Sequence, residues 1–399
     1  VRKPVPEIAS ESTVQLSTDG TELTFYDSVE AVVAVDEHLF GHCSPFLGNG
    51  YLWAVEKASP AHFSFLYGIV RQKGEPVAAL FFQAKPISIE ESLQDEGAGH
   101  GNSWKNAVKK WLSFNVMVCG SLLNSGELGL ACKPHFPEKL LPHCIHAART
   151  RFAERGIKTG FVLVKDFYGP ARERIGPVLQ GAGYHELSAQ PAMWMDLDPA
   201  WRTFDDYLDA LHSKYRIRAK RALKKSADIL RTELTLQDVL AQSDLMYRLY
   251  NEVAKGAGFN TFSLSPDYFA ELKRQLPDTF KVFGYWLDGE LVAFYTALLD
   301  RDRMEAHFLG MRQDLNHDLQ IYMNILFDLV KIGIYHRVPS INFARTALEI
   351  KSSVGAQPRP LYFYLWSANP LLNLLVPRLY RTYNPDLQWL PRHPFKTDD

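Results

Sequence analysis

Residues 341–356 read Ile-Asn-Phe-Ala-Arg-Thr-Ala-Leu-Glu-Ile-Lys-Ser-Ser-Val-Gly-Ala. The apolar run 340–343 predicts a strand, entered from a helix that ends near His336. Arg345 and Thr346 follow, then Glu349, Lys351 and Ser352 at close spacing, and Gly355 closes the unit as a left-handed cap. Apolar strand, polar turn, short helix and glycine is how an α/β protein presents polar groups at the carboxyl end of a sheet strand. Such sheets bind their ligands there. The same spacing also suits a solvated strand-to-helix connection with Thr346 as the helix cap.

The elements around this stretch occur twice along the chain. In the first half a strand at 65–70, a turn at 72–75 and a strand at 77–83 make a hairpin. A strand at 113–120, a helix at 137–156 ending in glycine and a strand at 158–165 follow. A helix at 172–183 and a strand at 192–197 complete the half. In the second half the hairpin is 280–287, Asp288-Gly289-Glu290 and 291–299. The strand is 304–310, the helix with its glycine stop is 320–333, and the next strand is 339–344, with a late strand at 360–365. The offset is roughly 180 to 215 residues, a period that means duplicated domains and not a solenoid. Each half is therefore expected to be α/β (α+β), a mixed sheet that is antiparallel at its hairpin and covered by helices. The join is expected near Asp198-Pro199, giving domains 1–197 and 198–399.

Bulk composition agrees with two soluble cores. A chain of 399 residues with 46% apolar and 22% charged residues exceeds one ordinary domain. Its net charge of −1 means that any site for a polyanion is local. No apolar run reaches the roughly 20 residues of a membrane helix, and the start, Val1-Arg2-Lys3-Pro4, has no apolar signal region. Cys43, Cys119, Cys132 and Cys144 form no Cys-x-x-Cys pair, and His143 and His146 flank Cys144 on a helical pattern. Reduced cysteines, no metal and a cytoplasmic location are the expectation. The Gly-, Ser- and Glu-rich stretch 92–103 predicts a mobile loop.

Three features together resemble a known group: the Lys351-x-x-x-Gly355-Ala356 step after a polar turn, the basic helix at 214–225, and the Asp288-Gly289-Glu290 hairpin before a strand. They are similar to the tandem GNAT-fold acyltransferases, meaning the Fem-type aminoacyl transferases of cell-wall synthesis and related peptidoglycan biosynthesis or recognition proteins. The resemblance covers most of the chain as layout, and its motifs are short. It implies two tandem GNAT-like domains, each a mixed, mostly antiparallel sheet flanked by helices. It implies transfer of an acyl or aminoacyl group to an amine, from acyl-CoA or an aminoacyl-tRNA, with no tightly bound cofactor. Peripheral contact with a lipid-linked precursor belongs to the same expectation. A reading from another class stays open: a catalytically silent GNAT-like protein that binds a cell-envelope precursor or nucleic acid.

The candidate residues lie mostly in the second half. Residues 201–226 predict one long helix with an apolar stripe of Phe204, Leu208, Leu211, Tyr215, Ala219 and Ala222. Lys214, Arg216, Arg218, Lys220, Arg221, Lys224 and Lys225 make it basic, with no acidic residue in the run. A polyanion held by residues such as Arg216 and Lys220 is one reading and a solvated face the other. On the strand 304–310, Glu305 and His307 fall on one face, where a carboxylate beside an imidazole makes a candidate base. Glu349 is a second candidate base. Arg345 and Thr346 are candidates for gripping a carboxylate or phosphate, and Lys351 for a carbonyl or phosphate. Arg312 and Asn316 stand where acyl-CoA-using GNAT enzymes usually carry a glycine-containing pyrophosphate loop, and both of its glycines are missing here. At the matching place in the first half, 114–118 is almost wholly apolar, so the second half is expected to hold the donor site.

Overall fold

The structure is a computed structural model that describes residues 12–17, 20–35, 44–59, 62–87, 114–256, 264–300, 302–383 and 389–396. The stretch 92–103 and Cys43 lie outside them. The chain divides into two compact units, one of residues 1–189 with 361–385 and one of 190–360 with 386–399. This differs from a single join at 197/198, because a segment near the carboxyl end returns to the first unit.

In chain order the first unit contains β1 (Ser12–Gln15), β2 (Thr21–Tyr26), α1 (Val29–Val33), α2 (Asn49–Lys57), β3 (Ser64–Gln72), β4 (Glu75–Ile87), β5 (Phe114–Cys119), β6 (Leu130–Cys132), α3 (Leu141–Glu154), β7 (Thr159–Phe167) and α4 (Gly169–Gly181). Strand β8 (His185–Asp196) begins in this unit and ends in the second. The second unit continues with α5 (Phe204–Ala210), α6 (Ser213–Lys225), β9 (Leu230–Glu233), α7 (Leu236–Ala241), α8 (Ser243–Gly256), α9 (Tyr268–Gln275), β10 (Phe280–Leu287), β11 (Glu290–Leu299), β12 (Met304–Met311), α10 (Gln313–Leu319), α11 (Ile321–His336), β13 (Ser340–Asn342) and α12 (Leu348–Ser353). Strand β14 (Gln357–Ser367) starts in the second unit and ends in the first, where α13 (Pro370–Tyr383) follows it.

The first unit's strands run in the order β1-β2-β3-β4-β5-β7-β14, with β6 added to β4. The second unit's run β8-β13-β12-β11-β10-β9. Both are antiparallel except at one place each, β5 with β7 and β12 with β13. The fold is thus mixed α/β, with mostly antiparallel sheets flanked by helices. The two hairpins turn for the same reason. Lys73-Gly74 and Asp288-Gly289 have positive φ at both central positions, 53° and 84° in one and 50° and 82° in the other. That is the two-residue turn whose twist matches the strands it joins.

Helix α11 forms the floor of the second core. Ile325, Leu326, Leu329 and Val330 are buried with Met304, Ile341 and Phe343. The predicted stripe on 201–226 also packs there: Leu208, Leu211, Ala219 and Ala222 are buried, and Phe204 and Tyr215 are partly so. The single long helix, however, is two. The chain is extended at Leu211, which bridges to Phe395, and the His212 N–H donates to the Pro394 carbonyl at 2.8 Å. A late segment of chain thus takes up backbone groups that a continuous helix would have used internally.

Candidate functional site

In the first unit β5 and β7 stay paired from Asn115↔Thr159 to Cys119↔Val164. In the second unit the corresponding strands, β12 and β13, pair only at Met304↔Ile341 and Glu305↔Asn342. Strand β12 runs on to Met311 beyond the last pair, where β13 has ended. On its other side β12 carries a bulge. Tyr295 faces Leu309 and Ala297 faces Ala306, leaving Thr296 opposite both His307 and Phe308. The Thr296 hydroxyl fills the gap, accepting from the Phe308 N–H at 3.0 Å and donating to the Phe308 carbonyl at 2.8 Å.

That hydroxyl settles the state of His307. Having spent its proton on Phe308, Thr296 Oγ1 accepts from His307 Nδ1 at 3.2 Å, and Nε2 accepts from the Tyr268 hydroxyl at 3.0 Å. The ring stacks on Tyr268 and packs edge-on against Phe280. Burial holds it neutral, with its pKa pushed down to about 3. Glu305 turns to other partners. It is buried, pairs with Arg303 Nε at 2.9 Å and accepts from Asn342 Nδ2 at 2.7 Å. The expected Glu305–His307 base pair is therefore two separate arrangements, because the bulge and Tyr268 draw the imidazole into an aromatic cluster. Burial outweighs Arg303 and Asn342 and raises the Glu305 carboxyl to about 7. A carboxylate poised near neutrality stands buried at the end of the β12–β13 ladder.

The turn after β13 is strained and pinned. Ala344, Thr346 and Ala347 have φ of 57°, 67° and 47°, a region costly for residues with a side chain. Asn342 Oδ1 accepts from the Ala344 N–H at 2.9 Å, so one side chain ties Glu305 to this turn. Lys351 Nζ donates to the Arg345 carbonyl from below. Lys351 is buried, and burial lowers its pKa to about 7. Arg345 is half-buried at the turn and Thr346 is exposed. Thr346 is not the helix cap: Ala347 is, without a side-chain hydrogen bond. Glu349 is exposed and holds a late segment of chain, pairing with Arg392 at 3.2 Å and accepting from the Leu390 N–H. Its carboxylate is thus shared with that segment, as that of Glu305 is with Arg303 and Asn342.

Gly355 has the positive φ expected, 111°. A Cβ there would lie 2.4 Å from Phe395 Cε2 and 2.5 Å from Cζ. Gly355→Ala is expected to destabilise the protein by about 2 kcal/mol through strain and overpacking together. A lowered denaturant midpoint at unchanged m-value checks this, and an unchanged midpoint would show that Phe395 moves aside without cost.

Where the glycine-containing loop is missing, helix α10 follows Arg312. Arg312 pairs with Asp314 through two nitrogens, at 3.2 and 2.6 Å. Asn316 accepts from the Tyr322 N–H at 2.9 Å and so caps α11. On α6, Arg216 pairs with Asp209 at 3.3 Å, an acidic partner seven residues earlier on α5, and Lys220 is exposed. The basic residues that gather are others. Arg218, Arg221 and Lys225 line a cavity of about 350 Å³ with Tyr215, Gln320, Met323, Phe327 and Ser353. Asn324 anchors its wall, donating to the Ala222 carbonyl at 3.0 Å and the Ser226 hydroxyl at 2.8 Å.

Residues 213–352 match a family described as Acetyltransferase (GNAT) domain. A crystal structure of FemX superposes with a TM-score of 0.53 at 10% identity, covering 85% of this chain and 96% of that one. This chain has the fold of FemX, with a GNAT domain in its second unit. A conserved protein of unknown function from Bacteroides thetaiotaomicron VPI-5482 has a TM-score of 0.50 at 11% identity, over 86% and 98% of the two chains. A tandem GNAT protein from the clavulanic acid biosynthesis pathway has one of 0.48 at 12% identity, over 90% and 99%. No curated protein matches the sequence. Among the described residues of this GNAT-fold chain, no helix is long and apolar enough to cross a membrane.

Proposed function

We propose that the second unit transfers an acyl or aminoacyl group to an amine at the end of the ladder between β12 and β13. The observation that carries this reading is the end of the short parallel ladder at Glu305 and Asn342, with Glu305 buried there, in the unit that matches the GNAT acetyltransferase family. The chemistry requires a proton acceptor, a held carbonyl and an anchor for the donor's phosphates. Glu305 is the acceptor. The amine nitrogen forms its bond to the donor carbonyl carbon, its proton passes to Glu305, and the bond to the donor's leaving group breaks. Asn342 and Arg303 orient the carboxylate, and Arg345 at the strained turn offers a guanidinium to the acceptor's own carboxylate or phosphate. An acyl-CoA or aminoacyl-tRNA donor supplies the activated carbonyl. For its phosphates the start of α10 offers Arg312, which is paired with Asp314. The phosphates fit the cavity of Arg218, Arg221 and Lys225, which offers three cations on one wall.

Turnover of a panel of amines with acetyl-CoA, longer acyl-CoAs and charged tRNA tests the reading. A thermal shift accompanies it, since a ligand at 100 times its Kd stabilises by about 2.7 kcal/mol. Arg218, Arg221 and Lys225 all changed to Gln should weaken donor binding and flatten its salt dependence, whereas Arg216→Gln with Lys220→Gln should change neither. Equal effects of the two sets would remove the cavity from the site. A second reading, binding without turnover, is favoured by one observation: both Glu305 oxygens already have partners. A donor-dependent thermal shift with no product from any amine would select it.

A further inference from the structure

Helix α13 is built the wrong way round for a helix packed on a core. The side facing its own unit is polar. Asn373 Nδ2 donates to the Gly183 carbonyl at 3.1 Å, and the Tyr380 hydroxyl donates to the Ser188 carbonyl at 2.7 Å, with Val376 buried between them. Asn369 caps the first turn, accepting from the Leu371 and Leu372 N–H groups. The leucines point outward instead: Leu371 and Leu374 are each 75% exposed, and Leu372, Leu375 and Leu379 are exposed as well. At 100° per residue they occupy one continuous sector, and a helix docked by its polar residues leaves that sector in water.

The charge on this helix is of one sign. Arg378 and Arg381 are exposed beside the leucines, and no acidic residue lies between Ser367 and Asn384. In a protein with a net charge of −1 this is a local basic and apolar face. With 14 residues the helix is about 21 Å long, too short to span a bilayer and suited to lying in its surface. We propose that α13 docks the protein on an anionic lipid surface, its leucines entering the headgroup boundary and its two arginines pairing with lipid phosphates. The inference concerns the first unit and does not depend on the acyl-transfer reading.

The test is flotation of the full chain with vesicles of phosphatidylcholine alone and of phosphatidylcholine with 30 mol% phosphatidylglycerol. Binding to the anionic vesicles is expected. Leu371→Asn with Leu374→Asn should abolish it, and Arg378→Gln with Arg381→Gln should weaken it roughly 30-fold while leaving any binding to neutral vesicles unchanged. Both pairs are exposed, so the melting temperature should stay put. No flotation with anionic vesicles, or flotation indifferent to the leucines, would overturn the proposal. So would a dimer in sedimentation that the leucine pair dissolves without any vesicle binding, which would assign the face to a second copy of the chain.

Discussion

Glu305→Gln should lower turnover by about 10²–10⁴-fold, the range for loss of a general base. The substitution is isosteric and leaves an oxygen to accept from Asn342, so the fold is expected to persist. The pH profile discriminates more sharply than the rate. Because burial raises the carboxyl to about 7, wild-type activity should climb as pH rises through 7 and level off above it, where the base is ionised. The variant should lose that limb. A variant that kept the limb near pH 7, or kept the wild-type rate, would show that another group takes the amine's proton.

Lys351 should make the second unit more stable as the solution becomes alkaline. Its folded pKa, about 7, lies well below the ordinary lysine value of 10.5. Between those limits the unfolded chain binds a proton that the folded chain does not, so unfolding becomes harder as pH rises. The contribution is fully present above about 10.5 and is lost as pH falls through 7. At ~1.4 kcal/mol per pH unit, raising the pH from 7 to 9.5 should add about 3 kcal/mol from this group. Lys351→Met, close in volume, should flatten that rise in denaturant melts at the two pH values. An equal rise in both proteins would place the ammonium in water and not beneath the Arg345 carbonyl.

The architecture was legible where local chemistry and burial agree. Alternating apolar strands around Asp288-Gly289 announce a hairpin because only a few residues accept two successive positive φ values. The glycine at 355 announced its own backbone. The site was less legible because it depends on long-range register. Nothing in residues 304–310 says that Thr296, across the sheet, will face two residues and turn His307 toward Tyr268. Asn342 read as one residue of a short strand, yet its side chain joins Glu305 to the strained turn. On α6 the basic run was plain, but which of its residues line a cavity was not, and Arg216 pairs with Asp209 instead. Arg218, Arg221 and Lys225, at spacings of three and four, flank the buried Ala219 and Ala222 and so turn toward α11. That signal was present in the periodicity of the stripe itself. The break at Leu211 was not, since it is made by residues nearly two hundred positions later.

The return of 361–385 to the first unit bears on how the protein is made. Strand β7 takes β14 as its antiparallel partner from Tyr362↔Phe167 to Ser367↔Phe161, and Tyr364 is buried in that unit's core. During synthesis the amino-terminal half therefore emerges from the ribosome with one sheet edge unmatched, and it stays so while nearly two hundred further residues are translated. At ~5–20 residues per second that wait lasts on the order of ten to forty seconds, with a Val- and Leu-rich edge open to pairing with the wrong strand. Completion of the first unit is thereby tied to translation of the second unit's strands, so a product terminated before Tyr362 is marked by an open edge that chaperones and proteases can read.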